Sequence, residues 1–192
     1  KIMDKNIVNE LHKLGMKKAC FETQIISTSF SGDEESCSSK GIDEVKFLMS
    51  VNPGQEKRSL SKIASGGELS RIMLAIKTVL TSLDTVEILI FDEIDTGISG
   101  AIAEIVGSKL NALGKRHQTL CITHLAQIAA FADHHYLVTK YQKNNKTFSR
   151  INYLDNKNNR VSALANLIGG KEITLQTLEL ANEMLNNSQS KK

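Results

Sequence analysis

Tryptophan is absent from this 192-residue sequence, proline occurs once, and aromatic residues make up only 5% of it. So few rings leave no broad stacking platform for single-stranded nucleic acid. No stretch approaches the roughly 18 consecutive apolar residues of a membrane span, and Lys1-Ile2-Met3-Asp4 shows no signal-peptide pattern. Neither sign of charge is in excess: 24 Lys+Arg against 21 Asp+Glu give a formal net charge of +3. That balance does not announce a dedicated DNA-binding domain with a strongly basic face, and Lys143, Lys146 and Lys157 read as solvated surface. The cysteines Cys20, Cys37 and Cys121 are odd in number, lie far apart and include no CxxC pair. Neither a zinc site nor a disulfide framework follows, and they read as reduced thiols of a cytoplasmic protein.

What remains is an ordinary globular composition, 41% hydrophobic and 23% charged, long enough for one compact domain with a real core. Ile7, Val8, Leu11 and Leu14 lie on one face of a helix over 4–14, ended by Gly15. Two strands follow, Ala19–Ser27 and Val45–Val51, with a polar loop at Ser31–Gly41 and a turn at Asn52-Pro53-Gly54. From Leu69 the positions Leu69, Ile72, Met73, Ile76, Val79, Leu80 and Leu83 predict a buried helix face. Ile88–Phe91 is apolar on both faces, as in a covered parallel sheet. Helices over 101–113 and 125–131 alternate with a strand over 119–123, an α/β pattern. A hairpin around residues 142–146 and a helical tail broken at Gly169-Gly170 complete the chain.

Three features carry chemistry. Ser65-Gly66-Gly67-Glu68-Leu69-Ser70-Arg71 stands at the mouth of the first long helix. Two glycines let backbone amides approach a ligand, the helix N-terminus favours an anion, and Ser65 adds a hydroxyl. An ordinary cap by Ser65 or Ser70 is the plainer reading of Ser-Gly-Gly alone. Next, Ile88-Leu89-Ile90-Phe91-Asp92-Glu93 sets two carboxylates at the tip of a buried strand, where α/β sheets bind ligands. Asp92 suits Mg2+, and Glu93 suits the polarisation of an attacking water. Finally, Thr123-His124 ends the following strand, where an imidazole reaches a phosphate. His12, His117, His134 and His135 keep a structural reading. The loop Ile94–Gly100 follows the acidic pair; in it Asp95 either contacts nucleotide or caps the next helix.

Together these stretches resemble the C-terminal lobe of an ABC ATPase head of the SMC-like RecN family. The match is carried by Ile63–Arg71, Phe91–Gly100, Thr123–Gln127 and Leu167–Gly170, and Ser99 stands where most SMC-like heads have Asp. The resemblance implies an α/β lobe over 16–187, preceded by the end of a coiled-coil helix over 1–15 and followed by a disordered tail from 188. It implies ATP and Mg2+, with Glu93 and His124 catalytic and Asp92 holding the metal. Ser65, Gly66, Gly67, Glu68, Asp95 and Ser99 complete the nucleotide contacts. It further implies an N-terminal P-loop lobe, a second head forming a homodimer, and DNA double-strand breaks as the repaired substrate in a bacterial, nucleoid-associated setting.

The P-loop itself is missing. It needs Gly, four residues, then Gly-Lys-Ser/Thr, whereas Gly170-Lys171 is followed by Glu172 and preceded at the required position by Ala165. The expectation is a half-site that neither binds ATP tightly nor hydrolyses it alone. Two alternatives stay open: the head of another SMC-like or RecF-like protein, and a non-catalytic dimerisation module.

Overall fold

The computed structural model describes residues 1–27, 41–52, 54–62, 65–170 and 172–190. The predicted polar loop therefore lies outside the described residues, apart from Gly41. The chain forms two compact units, Lys1–Asp84 and Thr85–Lys192.

In the first unit, helix α1 (Ile2–Lys13) buries Ile7, Leu11 and Leu14 completely, the one-sided row expected of an amphipathic helix. The chain leaves it through Gly15, whose φ of 87° is left-handed. Strands β1 (Cys20–Ser27) and β2 (Asp43–Ser50) then pair antiparallel, Cys20 opposite Ser50 and Ser27 opposite Asp43. Their inner end is anchored by the facing pair Phe21 and Met49, both buried, while Ile25 and Val45 at the outer end are exposed. A two-residue strand β3 (Arg58–Ser59) joins the far side of β2, too short to leave a periodic trace in the sequence.

Helix α2 (Gly66–Leu80) packs against α1. It begins three residues before the predicted apolar row, and its stripe is rotated from the expected one. Ile72, Leu74, Ala75 and Ile76 are buried, whereas Leu69 and Met73 are exposed and Leu83 lies beyond the helix end. Hydrophobicity alone does not rank Met73 against Leu74; the position of α1 does.

The second unit begins with β4 (Ile88–Phe91) and β5 (Gln118–Cys121), parallel and in register from Ile88 opposite Gln118 to Phe91 opposite Cys121. Helix α3 (Gly100–Leu113) connects them and packs on β5 and on the short helix α4 (Ala126–Ala129). The expectation that β4 is covered on both faces is corrected here. Leu89 and Phe91 are buried, but Ile88 and Ile90 are 51% and 69% exposed. Alternate side chains point to opposite faces, so an apolar run reports what a strand can bury, not what covers it.

Strands β6 (Tyr136–Lys143) and β7 (Lys146–Tyr153) form an antiparallel hairpin. Its turn is tighter than predicted: Asn144 and Asn145 alone make it, with φ of 51° and 58°, the two positive angles a type I′ turn requires. Helices α5 (Lys157–Gly169) and α6 (Leu175–Ser190) close the unit, burying Leu164, Ala165, Ala181 and Leu185 against Ala126, Ala129 and Ala130. The tail predicted to be disordered from 188 is helical to Ser190. Ser188 is buried, and its hydroxyl lies 2.7 Å from the Ala130 carbonyl.

Candidate functional site

Each half of the site lies within a single unit. In the first unit, Ser65 is extended (φ −100°, ψ 122°) and Gly66 starts α2. The Ser65 hydroxyl accepts a long bond, 3.5 Å, from the Glu68 amide. A hydroxyl has one donor and two acceptor lone pairs. Accepting from Glu68 leaves its O–H free to donate, so the capping and phosphate readings of Ser65 are compatible. Gly66 is exposed and Gly67 is buried at the same helix start. Three residues beyond Glu68, Arg71 is buried. Burial pulls its guanidinium below the ordinary range, partly offset by the Glu68 charge. Glu68, expected as a nucleotide contact, thus also acts electrostatically on Arg71 one turn along its own helix.

In the second unit, Asp92 and Glu93 leave the tip of β4, and Ile122–His124 leave the adjacent tip of β5. The parallel ladder runs one step further, with the Ile122 amide 2.9 Å from the Phe91 carbonyl. Asp92 Oδ1 accepts from the Glu93 amide at 2.9 Å, and both residues are exposed. Glu93 has a φ of 56°, a strained value for a side chain of this kind and a recurrent mark of functional positions. The Thr96 amide closes a turn onto its carbonyl at 3.0 Å.

Asp95 departs from the capping reading. It does not cap α3, whose N-cap is Ser99, itself extended and without a side-chain cap bond. Asp95 is 4% exposed. Its Oδ2 accepts from Thr123 Oγ1 at 2.6 Å and from the His124 amide at 2.8 Å, and lies 3.0 Å from His124 Nδ1. Thr123 received no separate role from the sequence; its place directly before His124 was the available signal. Burial, with the negative charges of Asp95 and Asp92, pushes the Cys121 thiol up to about 12. His117, read as structural, is buried with Nδ1 2.7 Å from the Val86 carbonyl.

The donor set also bears on metal choice. Among the described residues no three His, Cys, Asp or Glu side chains gather into a metal cage. Mg2+ does not ask for one, since it keeps its waters and binds through one or two carboxylates plus phosphate oxygens. The exposed Asp92 carboxylate fits that habit.

No protein-family model matches the chain. Among curated proteins it is 41% identical to the DNA repair protein RecN of Bacillus subtilis, over 94% of this chain and 34% of that protein. It is 43% identical to RecN of Vibrio cholerae, over 96% of this chain and 32% of that one. The chain belongs to the RecN family. It spans about a third of the length of the curated relatives it matches. The Smc head domain with a coiled coil and joint from Pyrococcus yayanosii superposes with a TM-score of 0.55 at 19% identity, covering 88% of this chain and 29% of that one. The fold is thus the mixed α/β fold of a lobe of that Smc head domain. No described helix is long and apolar enough to cross a membrane.

Proposed function

We propose that the chain is the C-terminal half of a RecN-type ATPase head, coupling ATP hydrolysis at a head dimer to the repair of DNA double-strand breaks. The observation that carries this reading is the placement of Asp92, Glu93 and His124 on the tips of two adjacent parallel strands. In that arrangement Asp92 holds Mg2+, whose charge neutralises phosphate oxygens when it is bound. Glu93 takes a proton from the attacking water, and His124 contacts the terminal phosphate. Ser65, Gly66 and Gly67 offer a hydroxyl and helix-start amides to the nucleotide of a second head.

The other half of each site is a P-loop lobe, which this sequence does not encode. Helix α1 is then the end of the coiled coil re-entering the head, and residues 16–187 are the lobe. Contact with DNA belongs to the whole protein, in the bacterial cytoplasm at the nucleoid.

The test is hydrolysis by the chain alone, and after mixing with a separately produced P-loop lobe of a RecN relative. The expected result is activity on mixing only. A stable complex that never hydrolyses ATP would replace this reading with that of a dimerisation module.

A further inference from the structure

Asp95 is a buried carboxylate in a loop whose neighbours Asp92 and Glu93 face solvent. A buried charge is tolerated only where donors satisfy it, and the donors here come from one place. Thr123 Oγ1, the His124 amide and His124 Nδ1 all lie 2.6 to 3.0 Å from the single oxygen Oδ2. The His124 side chain is itself 74% exposed, so packing contributes little to its orientation.

We infer that Asp95 is a positioning residue, which holds the His124 ring with Nδ1 protonated toward its carboxylate and leaves Nε2 as the outward-facing nitrogen. In the neutral ring Nε2 then carries the lone pair, ready to take up the proton with which it donates to an arriving phosphate. Nδ1 keeps its own proton on Asp95 throughout. Carboxylates behind catalytic imidazoles in hydrolases divide the work in this way. The inference rests on the reading of His124 as the residue that meets phosphate.

It also ties the two strand tips together. Asp95 belongs to the turn closed by Thr96 onto Glu93 and by Ile98 onto Asp95 itself. The loop bearing the general base and the loop bearing the imidazole therefore share one carboxylate as their fastening.

The test uses long-range proton–nitrogen spectra of the 15N-labelled chain, at a pH where histidine rings are ordinarily neutral, with His124 assigned through His124→Gln. The expected result is an Nδ1-protonated ring in the chain. In Asp95→Ala the acceptor is removed, so the ring is no longer held with Nδ1 protonated and moves to the Nε2-protonated form that an unconstrained imidazole favours. In the assembled ATPase, Asp95→Ala lowers kcat at least about tenfold with KM changed less than about twofold. An Nε2-protonated ring in the unaltered chain overturns the inference, as does a ring still Nδ1-protonated in a folded Asp95→Ala chain. Because the spectra need no partner lobe, an inactive assembly would count against the ATPase reading without deciding this one.

Discussion

The two halves of the candidate site are built by different means. Ser65, Gly66 and Gly67, in the first unit, need only the start of one helix: an extended residue, two glycines, and the amides that any helix leaves unpaired. Asp92, Glu93 and His124, in the second unit, need two parallel strands in register, a residue held at positive φ, and a buried carboxylate across the gap. The first is a device that a short peptide nearly encodes by itself. The second exists only once residues some thirty positions apart have packed. Damage to the packing that supports the second half should therefore reach the chemistry through folding, whereas damage at Ser65 should leave the fold almost untouched.

The largest effect is expected at Glu93. Replacing it with Gln keeps the side chain's shape and removes its basicity, so hydrolysis by the mixed assembly should fall about 100-fold or more while the chain still folds. Steady-state ATPase assays beside circular dichroism check both halves of that statement.

Next in size is the reactivity of Cys121. With its thiol pushed up to about 12, mainly by burial, its thiolate fraction at pH 8 is roughly a thousandth of that in the unfolded chain. The greater nucleophilicity of a more basic thiolate returns part of this. Alkylation in the folded chain should thus be about 50-fold slower than in urea. Peptide mapping separates Cys121 from Cys20, which is exposed. Equal rates in the folded and unfolded chains would mean that the tip of β5 is open, and the comparison between the units would lose its basis.

The same contrast explains what was legible in the sequence. Ser65–Arg71 at a helix start, Asp92-Glu93 after an apolar strand and the helix row of Ile7, Leu11 and Leu14 are local patterns, and each lies on the element the sequence predicted. The inward turn of Asp95 was not legible, because an acid four residues after a strand reads equally well as cap, ligand or solvated loop. Only the arrival of Thr123 and His124 beside it decides. Met73 and Leu74 show the same limit in α2: both are apolar, and the packing of α1 selects between them. The exposed faces of Ile88 and Ile90 show it again, since a strand's composition does not say how many neighbours it has.

A smaller effect, on stability alone, probes the support under the second half-site. Gly107 in α3 lies where an added Cβ would sit 2.6 Å from a ring carbon of Phe131 and 3.2 Å from the Ile128 backbone. The ring can turn, but the α4 backbone cannot easily retreat. Gly107→Ala should cost about 1–3 kcal/mol by overpacking, read as a lower Tm with no change in the helix content of the folded state. An unchanged Tm would show that α3 and α4 are less tightly apposed than this geometry requires.

The smallest expected effect separates the two jobs of Ser65. Its bond to the Glu68 amide is long, at 3.5 Å, so Ser65→Ala should cost only about 0.5 kcal/mol, the low end for a lost N-cap. Ser65→Asp keeps the capping acceptor and suits the helix dipole, so it should hold or slightly raise the Tm. It nevertheless removes the donating O–H and sets a negative charge against phosphate. The mixed assembly should therefore lose hydrolysis in both variants, although their stabilities move in opposite directions. If the Asp variant hydrolyses ATP as well as the unaltered chain, Ser65 is a cap and nothing more, and the phosphate grip passes to the amides of Gly66 and Gly67.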